Sequence, residues 1–209
     1  MNFIEFQNWG LNALTVGAIG TIIFTFVETW GLWQQNKTIW KFESGQSISI
    51  VYFAYATGVF MSVLIYGIAE HSLAMIINGF FLTLFHLPIL IGLWKFESFS
   101  TWDKRICVGI IAYMILMSLV PFKDILFMIF SFTNVLFTCT QPWKIWREKD
   151  AGAVEIKLIF TYLANTFFWI AYAYTIHDWV LQIICPCYFV LSALIIVLWF
   201  KYRNPAFRS

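Results

Sequence analysis

Seven long apolar stretches dominate this chain of 209 residues: 12–34, 49–69, 72–94, 104–120, 123–143, 154–175 and 179–200. A bilayer core of about 30 Å is crossed by about 20 apolar residues wound as a helix. The seven stretches use up most of the chain and leave no loop large enough for a soluble domain. A lipid-facing β-barrel would instead show alternating stretches of about ten residues. The expectation is an all-α membrane protein with seven transmembrane helices. Composition agrees, with 61% hydrophobic and 11% charged residues, against roughly 45–50% and about 25% in soluble domains. A soluble fold of this size needs a polar skin that this chain cannot supply. A soluble enzyme and a nucleic-acid binder are thereby excluded, and the main partner of the surface is the lipid bilayer.

The few charges set the orientation. Lys37, Lys41, Lys95, Lys104, Arg105, Lys144, Arg147, Lys149, Lys157, Lys201, Arg203 and Arg208 fall on one side of the seven spans; of the 13 basic residues only Lys123 falls on the other. Cytoplasmic loops carry the excess of Lys and Arg, which puts the N-terminus outside and the C-terminus in the cytoplasm. An odd number of spans is required, and seven satisfies it. No Lys or Arg precedes Lys37, so the first span lacks the positive leader of a signal peptide and reads as retained. A cell inner or plasma membrane fits this arrangement.

The chain also matches itself at an offset of 106 residues. Gln35, Ile39, Trp40 and Lys41 meet Gln141, Ile145, Trp146 and Arg147; farther on, Tyr66 meets Tyr172, His71 meets His177 and Lys95 meets Lys201. The matched unit is three spans, helices 1–3 against helices 5–7. Both copies enter the membrane in the same direction, so the repeat is parallel. The expected organisation is a first triple-helix repeat at 1–99, a linker helix 4 at 100–121, a second repeat at 122–202 and a cytoplasmic tail at 203–209. Two parallel three-helix bundles of this 3+1+3 kind would enclose a central cavity near mid-membrane.

The repeat resembles the PQ-loop superfamily, and within it the SWEET sugar transporters. The first copy of the motif reads Gln34-Gln35 through Trp40, Lys41, Ser44, Gly45 and Ser47; the second reads Thr140-Gln141 through Trp146, Arg147, Lys149 and Gly152. Tyr66-Gly67 followed by Asn78-Gly79 resembles the Tyr-Gly and Asn-Gly pattern of SWEETs. The resemblance implies a gating or motif role for Gln35, Gln141 and Pro142. The motif proline is replaced by Gln34 in the first copy and Thr140 in the second, with Pro142 displaced by two residues. Helices 2 and 6 contain no proline, so hinges placed there in SWEETs cannot be carried over. Asn78 faces Ile184 at the offset, which leaves the paired asparagines of SWEETs half present.

Polar residues inside spans are costly and usually face the bundle interior. Glu28 lies two turns before Gln35 on the same face, and its mate Asn134 lies two turns before Gln141. Together they suggest a common cavity wall, with Glu28 also the candidate for proton coupling. Asn165 stands in line with Thr161, Trp169 and Tyr172, mixing hydrogen-bonding groups with flat aromatic faces that suit sugars. Asn78, Asn165, Trp169, Asn134 and Glu28 are therefore the expected substrate-binding residues. His71 and His177 fall in short outer loops and read as solvated. Trp30 lies deeper than the belt of Trp9, Trp94, Trp102, Trp143, Trp179 and Trp199 at the span ends.

No Lys or Arg stands near mid-membrane, which disfavours strongly anionic ligands. There is no central Lys in the last span for a retinal Schiff base, no repeated Arg voltage sensor, and no His-Glu-x-x-His or Gly-x-Ser-x-Gly motif. No catalytic residue, metal or cofactor is expected, and the chain does not read as an enzyme. The expected function is movement of a small polar solute, a sugar first and an amino acid or other metabolite next, by alternating access through the cavity between the repeats. The alternative is a receptor or sorting protein of the same fold that binds without transport. A homo-oligomer is compatible with either. An epitope at the N-terminus should be accessible on intact cells and one at the C-terminus only after permeabilisation; the reverse labelling pattern would overturn the charge-derived topology.

Overall fold

The computed structural model describes residues 3–7, 9–44, 50–149, 151 and 156–202. Gly45, Ser47 and Gly152 of the two motifs lie outside the described residues, as do Arg203, Arg208 and the rest of the tail. Among these residues a short 3-10 turn, Ile4–Phe6, precedes eight α-helices: α1 (Ala13–Phe42), α2 (Ile50–Ala69), α3 (Leu73–Phe96), α4 (Thr101–Leu119), α5 (Lys123–Thr138), α6 (Thr140–Glu148), α7 (Ile156–Thr175) and α8 (Trp179–Tyr202). No strand occurs among the described residues.

Two of these helices differ from the expected spans for local reasons. The first motif is helical from Gln34 to Phe42, because α1 runs on to that residue over 30 residues. At 1.5 Å per residue such a helix outlasts the hydrocarbon core, and its last turns carry the motif past it. In the second copy the ladder is interrupted at Cys139, between α5 and α6. Pro142 has no N–H to offer the Thr138 carbonyl, where the first copy has Asn36. The interruption is slight, since Trp143 N–H still reaches the Cys139 carbonyl at 3.3 Å.

Among the described residues, five helical stretches are long and apolar enough to cross a membrane: α1, α2, α3, α8 and the run Lys123–Glu148 that joins α5 to α6. The linker α4 opens on Asp103, Lys104 and Arg105, and α7 carries Tyr162, Asn165, Thr166, Tyr172 and Tyr174. The faces of α1 are inverted relative to a soluble helix. Val16, Ile19, Ile23, Phe26, Val27 and Trp30 are exposed along one stripe, while Thr15, Thr21, Thr25, Glu28 and Thr29 are buried. Such an exposed apolar stripe is stable only against lipid. The chain is an integral, multi-pass membrane protein. Trp30, expected to lie deep, is 64% exposed on that stripe.

The duplication is visible in the backbone. Among the described residues, the non-glycine ones with left-handed φ are Glu43 (49°), His71 (54°), Lys149 (56°) and His177 (56°). They form two pairs at the 106-residue offset. After α2, Ser72 N–H bonds the Gly67 carbonyl at 2.9 Å and Glu70 N–H bonds that of Tyr66 at 2.9 Å; after α7, Asp178 N–H bonds Ala173 and Ile176 N–H bonds Tyr172, both at 3.1 Å. This is the Schellman closure of a helix. The next helix is capped in both places, Ser72 Oγ accepting from Met75 N–H at 3.1 Å and Asp178 Oδ1 from Leu181 N–H at 2.8 Å. Exposed His71 and His177 are thus turn residues.

By packing, the chain divides into two compact units, one of Met1–Trp9 with Ile22–Phe130 and one of Gly10–Thr21 with Ser131–Ser209. In the first, Ile39, Ile89 and Leu93 form a core joined by Phe53 and Phe96. In the second, Ile145 and Ile195 form a core joined by Ile159, Trp199 and Tyr202. Position by position these are offset mates, so the same core is built twice. The first unit also holds the 3-10 turn in place. Buried Glu5 accepts from Ser72 Oγ (3.2 Å), Leu73 N–H (3.0 Å) and Ala74 N–H (2.9 Å), filling the donor end of α3.

Glycine sets the closest helix approaches. A Cβ on Gly79 of α3 would meet the Leu64 backbone nitrogen of α2 at 2.4 Å, whereas one on Gly31 of α1 would meet nothing within 4 Å. Gly79→Ala should therefore destabilise by about 1–3 kcal/mol, the range for an overfilled contact. Gly31→Ala should be neutral or up to about 1 kcal/mol stabilising, since alanine is the better helix former. Thermal unfolding of both variants in detergent checks the contrast.

Candidate substrate site

Each unit turns a small set of polar side chains inward at mid-helix. In the first unit these are Thr25 and Glu28 on α1 and Asn78 on α3. Thr25 is 0%, Asn78 3% and Glu28 9% exposed. Thr25 and Glu28 share a face because they are three residues apart on one helix. Asn78 donates from Nδ2 to Thr25 Oγ1 at 2.8 Å, a tie between α1 and α3. His86, two turns beyond Asn78, holds the Leu82 carbonyl through Nδ1 at 2.7 Å, with its ring 5.1 Å from Phe60 and 5.7 Å from Phe53. Its position is explained by packing.

The second unit repeats the theme with different partners. Ser131 and Asn134 of α5 are the offset mates of Thr25 and Glu28. Asn134 donates from Nδ2 to the Tyr188 hydroxyl of α8, and that hydroxyl donates to the Ser131 carbonyl at 3.4 Å. The tie joins α5 to α8 as Thr25 and Asn78 join α1 to α3. The third-helix partner has moved one turn, from the Ile184 mate position of Asn78 to Tyr188. On α7, Asn165 is buried, and half-buried Trp169 meets fully buried Tyr172 edge-on with centroids 5.8 Å apart. The glycines at 17 and 20 of α1 receive this face: a Cβ on Gly17 would meet the Tyr172 backbone at 3.0 Å and one on Gly20 the Phe168 ring at 2.1 Å.

The motif residues stand toward the far ends of the same helices. Gln35 on α1 and Gln141 on α6 are half-buried, and Pro142 is buried in the first turn of α6. The motif tryptophans diverge. The Trp40 indole donates to the Pro88 carbonyl at 3.2 Å and lies against Gly92, where a Cβ would meet Nε1 at 3.0 Å. The offset mate of Gly92 is Leu198, and Trp146 packs instead on Trp143 at 5.2 Å with Lys149 above it at 4.7 Å.

Sequence spacing singled out Glu28, Asn78, Asn134, Asn165 and Trp169 but missed Thr25, Ser131 and Tyr188. The offset could have found Ser131 as the mate of Thr25; no spacing rule points to Tyr188. As a set these groups are amides, hydroxyls and one carboxylate beside aromatic rings. They can pair with hydroxyls and pack on C–H faces, and hold no cation for an anionic ligand.

Comparison with known proteins agrees with the PQ-loop, SWEET-like resemblance. The family model described as sugar efflux transporter for intercellular exchange matches residues 123–206, from α5 through α8. In structure the chain is similar to a eukaryotic SWEET transporter, with a TM-score of 0.74 over 91% of this chain and 96% of that chain, at 13% sequence identity. At that identity the likeness establishes the fold. No curated protein matches the sequence.

The Thr25–Asn78 bond separates a binding role for Asn78 from a purely structural one. Interhelical hydrogen bonds in membranes are worth about 0.6 kcal/mol on average. Thr25→Ala and Asn78→Ala should each lower stability by about that much, since either removes the bond. Only Asn78→Ala should also weaken sugar binding. Equal sugar affinity in the two variants, measured by titration in detergent, would make Asn78 an interhelical tie alone.

Proposed function

We propose that this protein carries a small neutral polar solute, a sugar first, across the membrane. The observation that carries the reading is the match of α5 through α8 to the family model for sugar efflux transporters, joined to a SWEET fold over nearly the whole chain. The polar set agrees with it. Glu28, Asn78, Asn134, Asn165 and Trp169 are the proposed substrate residues, supplying amide and carboxylate partners for hydroxyls and an aromatic face for a sugar ring. Gln35, Gln141 and Pro142 are proposed for gating, the first toward the end of the helix that carries Glu28 and the other two at the start of α6, which follows the helix that carries Asn134.

The proposed organisation is the duplicated one, 1–99 and 122–202 around a linker at 100–121. The paired left-handed residues and the twice-built core support it. The proposed mechanism is alternating access, in which the bound solute is exposed to each face of the membrane in turn. The N-terminus is placed outside and the C-terminus inside on the distribution of Lys and Arg.

Purified protein in liposomes should equilibrate radiolabelled glucose, fructose or sucrose in a saturable way, with competition by the unlabelled sugar. Binding of these sugars without flux under any gradient would favour a receptor of the same fold. Glu28 is the proposed proton-coupling group. Glu28→Gln should then remove any pH dependence of net flux while leaving sugar exchange intact. A Glu28→Gln profile that follows the wild type across pH would remove Glu28 from coupling.

A further inference from the structure

Hydroxyls buried in a membrane helix satisfy themselves by donating to the carbonyl one turn back. Thr21, Thr29, Thr57, Ser62 and Thr166 all do so here, at 2.6 to 2.8 Å. Half-buried Thr83 and buried Ser131 do not, and neither hydroxyl has a hydrogen-bond partner. Of the two, Ser131 is the more deeply buried, at 2% exposed. A buried hydroxyl left in this state costs about 1–3 kcal/mol. Its offset mate Thr25 shows the contrast, since Thr25 Oγ1 is met by Asn78 at 2.8 Å. In the second unit the position of Asn78 is taken by Ile184, which has no amide to give. What lies beside Ser131 is a phenol and an amide. The Tyr188 hydroxyl is 3.4 Å from the Ser131 carbonyl and accepts from Asn134 Nδ2, and Asn134 shares the Ser131 face one turn on.

We infer that Ser131, with Tyr188 held by Asn134, forms a subsite in the second unit that receives a hydroxyl group of a neutral polyol. The Ser131 hydroxyl both donates and accepts, which matches a sugar hydroxyl, itself both donor and acceptor. The phenol ring beside it offers an apolar face for the C–H groups that flank a sugar hydroxyl. The two copies are therefore unequal: the first closes its hydroxyl with its own asparagine, and the second leaves its hydroxyl for a ligand. This inference rests on the sugar-binding reading but adds residues that reading does not contain.

The test is titration of detergent-solubilised protein with glucose, fructose, sucrose and myo-inositol, read by thermal shift, alongside liposome flux of the same compounds. Ser131→Ala and Tyr188→Phe keep the shape of the helix; without ligand the first, which removes an unpaired hydroxyl, should unfold at or above the wild-type temperature, and the second, which removes the Asn134 tie, slightly below it. Each should weaken binding of the compounds that stabilise the wild type by about threefold to tenfold, the loss of one hydrogen bond. Ser131→Thr should restore most of that affinity. Unchanged affinity in Ser131→Ala and Tyr188→Phe, with flux intact, would overturn the subsite, leave transport standing and assign the hydroxyl to a buried water. Weakened binding with no flux in any protein would uphold the subsite and overturn transport. A wild type that binds none of these compounds would overturn both.

Discussion

Inside a bilayer no water is available to satisfy a polar group, and that constraint shapes everything else in this protein. Each backbone N–H and C=O must close within its own helix, which is why the chain is helical almost throughout. The side chains obey the same rule. Threonines and serines bond the carbonyl behind them, the Glu5 carboxylate fills the open end of α3, and α1 turns its threonines and Glu28 inward while isoleucine, valine and phenylalanine face out. Polar groups that break the rule stand out against this background, and the hydroxyls of Ser131 and Thr83 do.

Duplication supplies the second organising fact, and divergence between the copies supplies the interest. Residues that hold the backbone have been kept in pairs: the left-handed turns at 71 and 177, the caps at Ser72 and Asp178, and the cores around Ile39 and Ile145. Residues that face inward at mid-helix have not. Glu28 stands opposite Asn134, Asn78 opposite Ile184, and Leu82 opposite Tyr188. Asymmetry concentrated in the inward-facing set is the pattern expected when packing constrains one class of positions and a ligand the other.

Most of the architecture was legible in the sequence because lipid imposes a signal that survives any rearrangement of contacts. Long apolar runs, basic loops and a fixed repeat offset are properties of composition and spacing. The helix breaks were less so: α1 continues through its motif because Asn36 can donate, while its mate Pro142 cannot. The candidate site was half legible. Glu28, Asn78 and Asn134 announce themselves as polar groups in apolar surroundings. Thr25, Ser131 and Tyr188 do not, since hydroxyl-bearing residues are common in spans and only the rotation of each helix decides whether they meet an amide. Trp30 illustrates the converse: spacing gives its place along the helix, and only the rotation of α1 decides that it stands on the exposed stripe.

The turns at 70–72 and 176–178 have a consequence for assembly. Each joins two apolar helices through a short, self-closed reversal, with the Schellman bonds, the following cap and close packing of α2 on α3 and of α7 on α8 all drawn from residues near one another in sequence. Contacts of such short range form fastest. These two hairpins are the pieces expected to take shape first, as the chain emerges during synthesis, with α1 and α5 docking on them afterwards. The glycine at 79, which lets α3 close on the α2 backbone, then acts at the earliest step of assembly, before any polar group of the second repeat has entered the membrane.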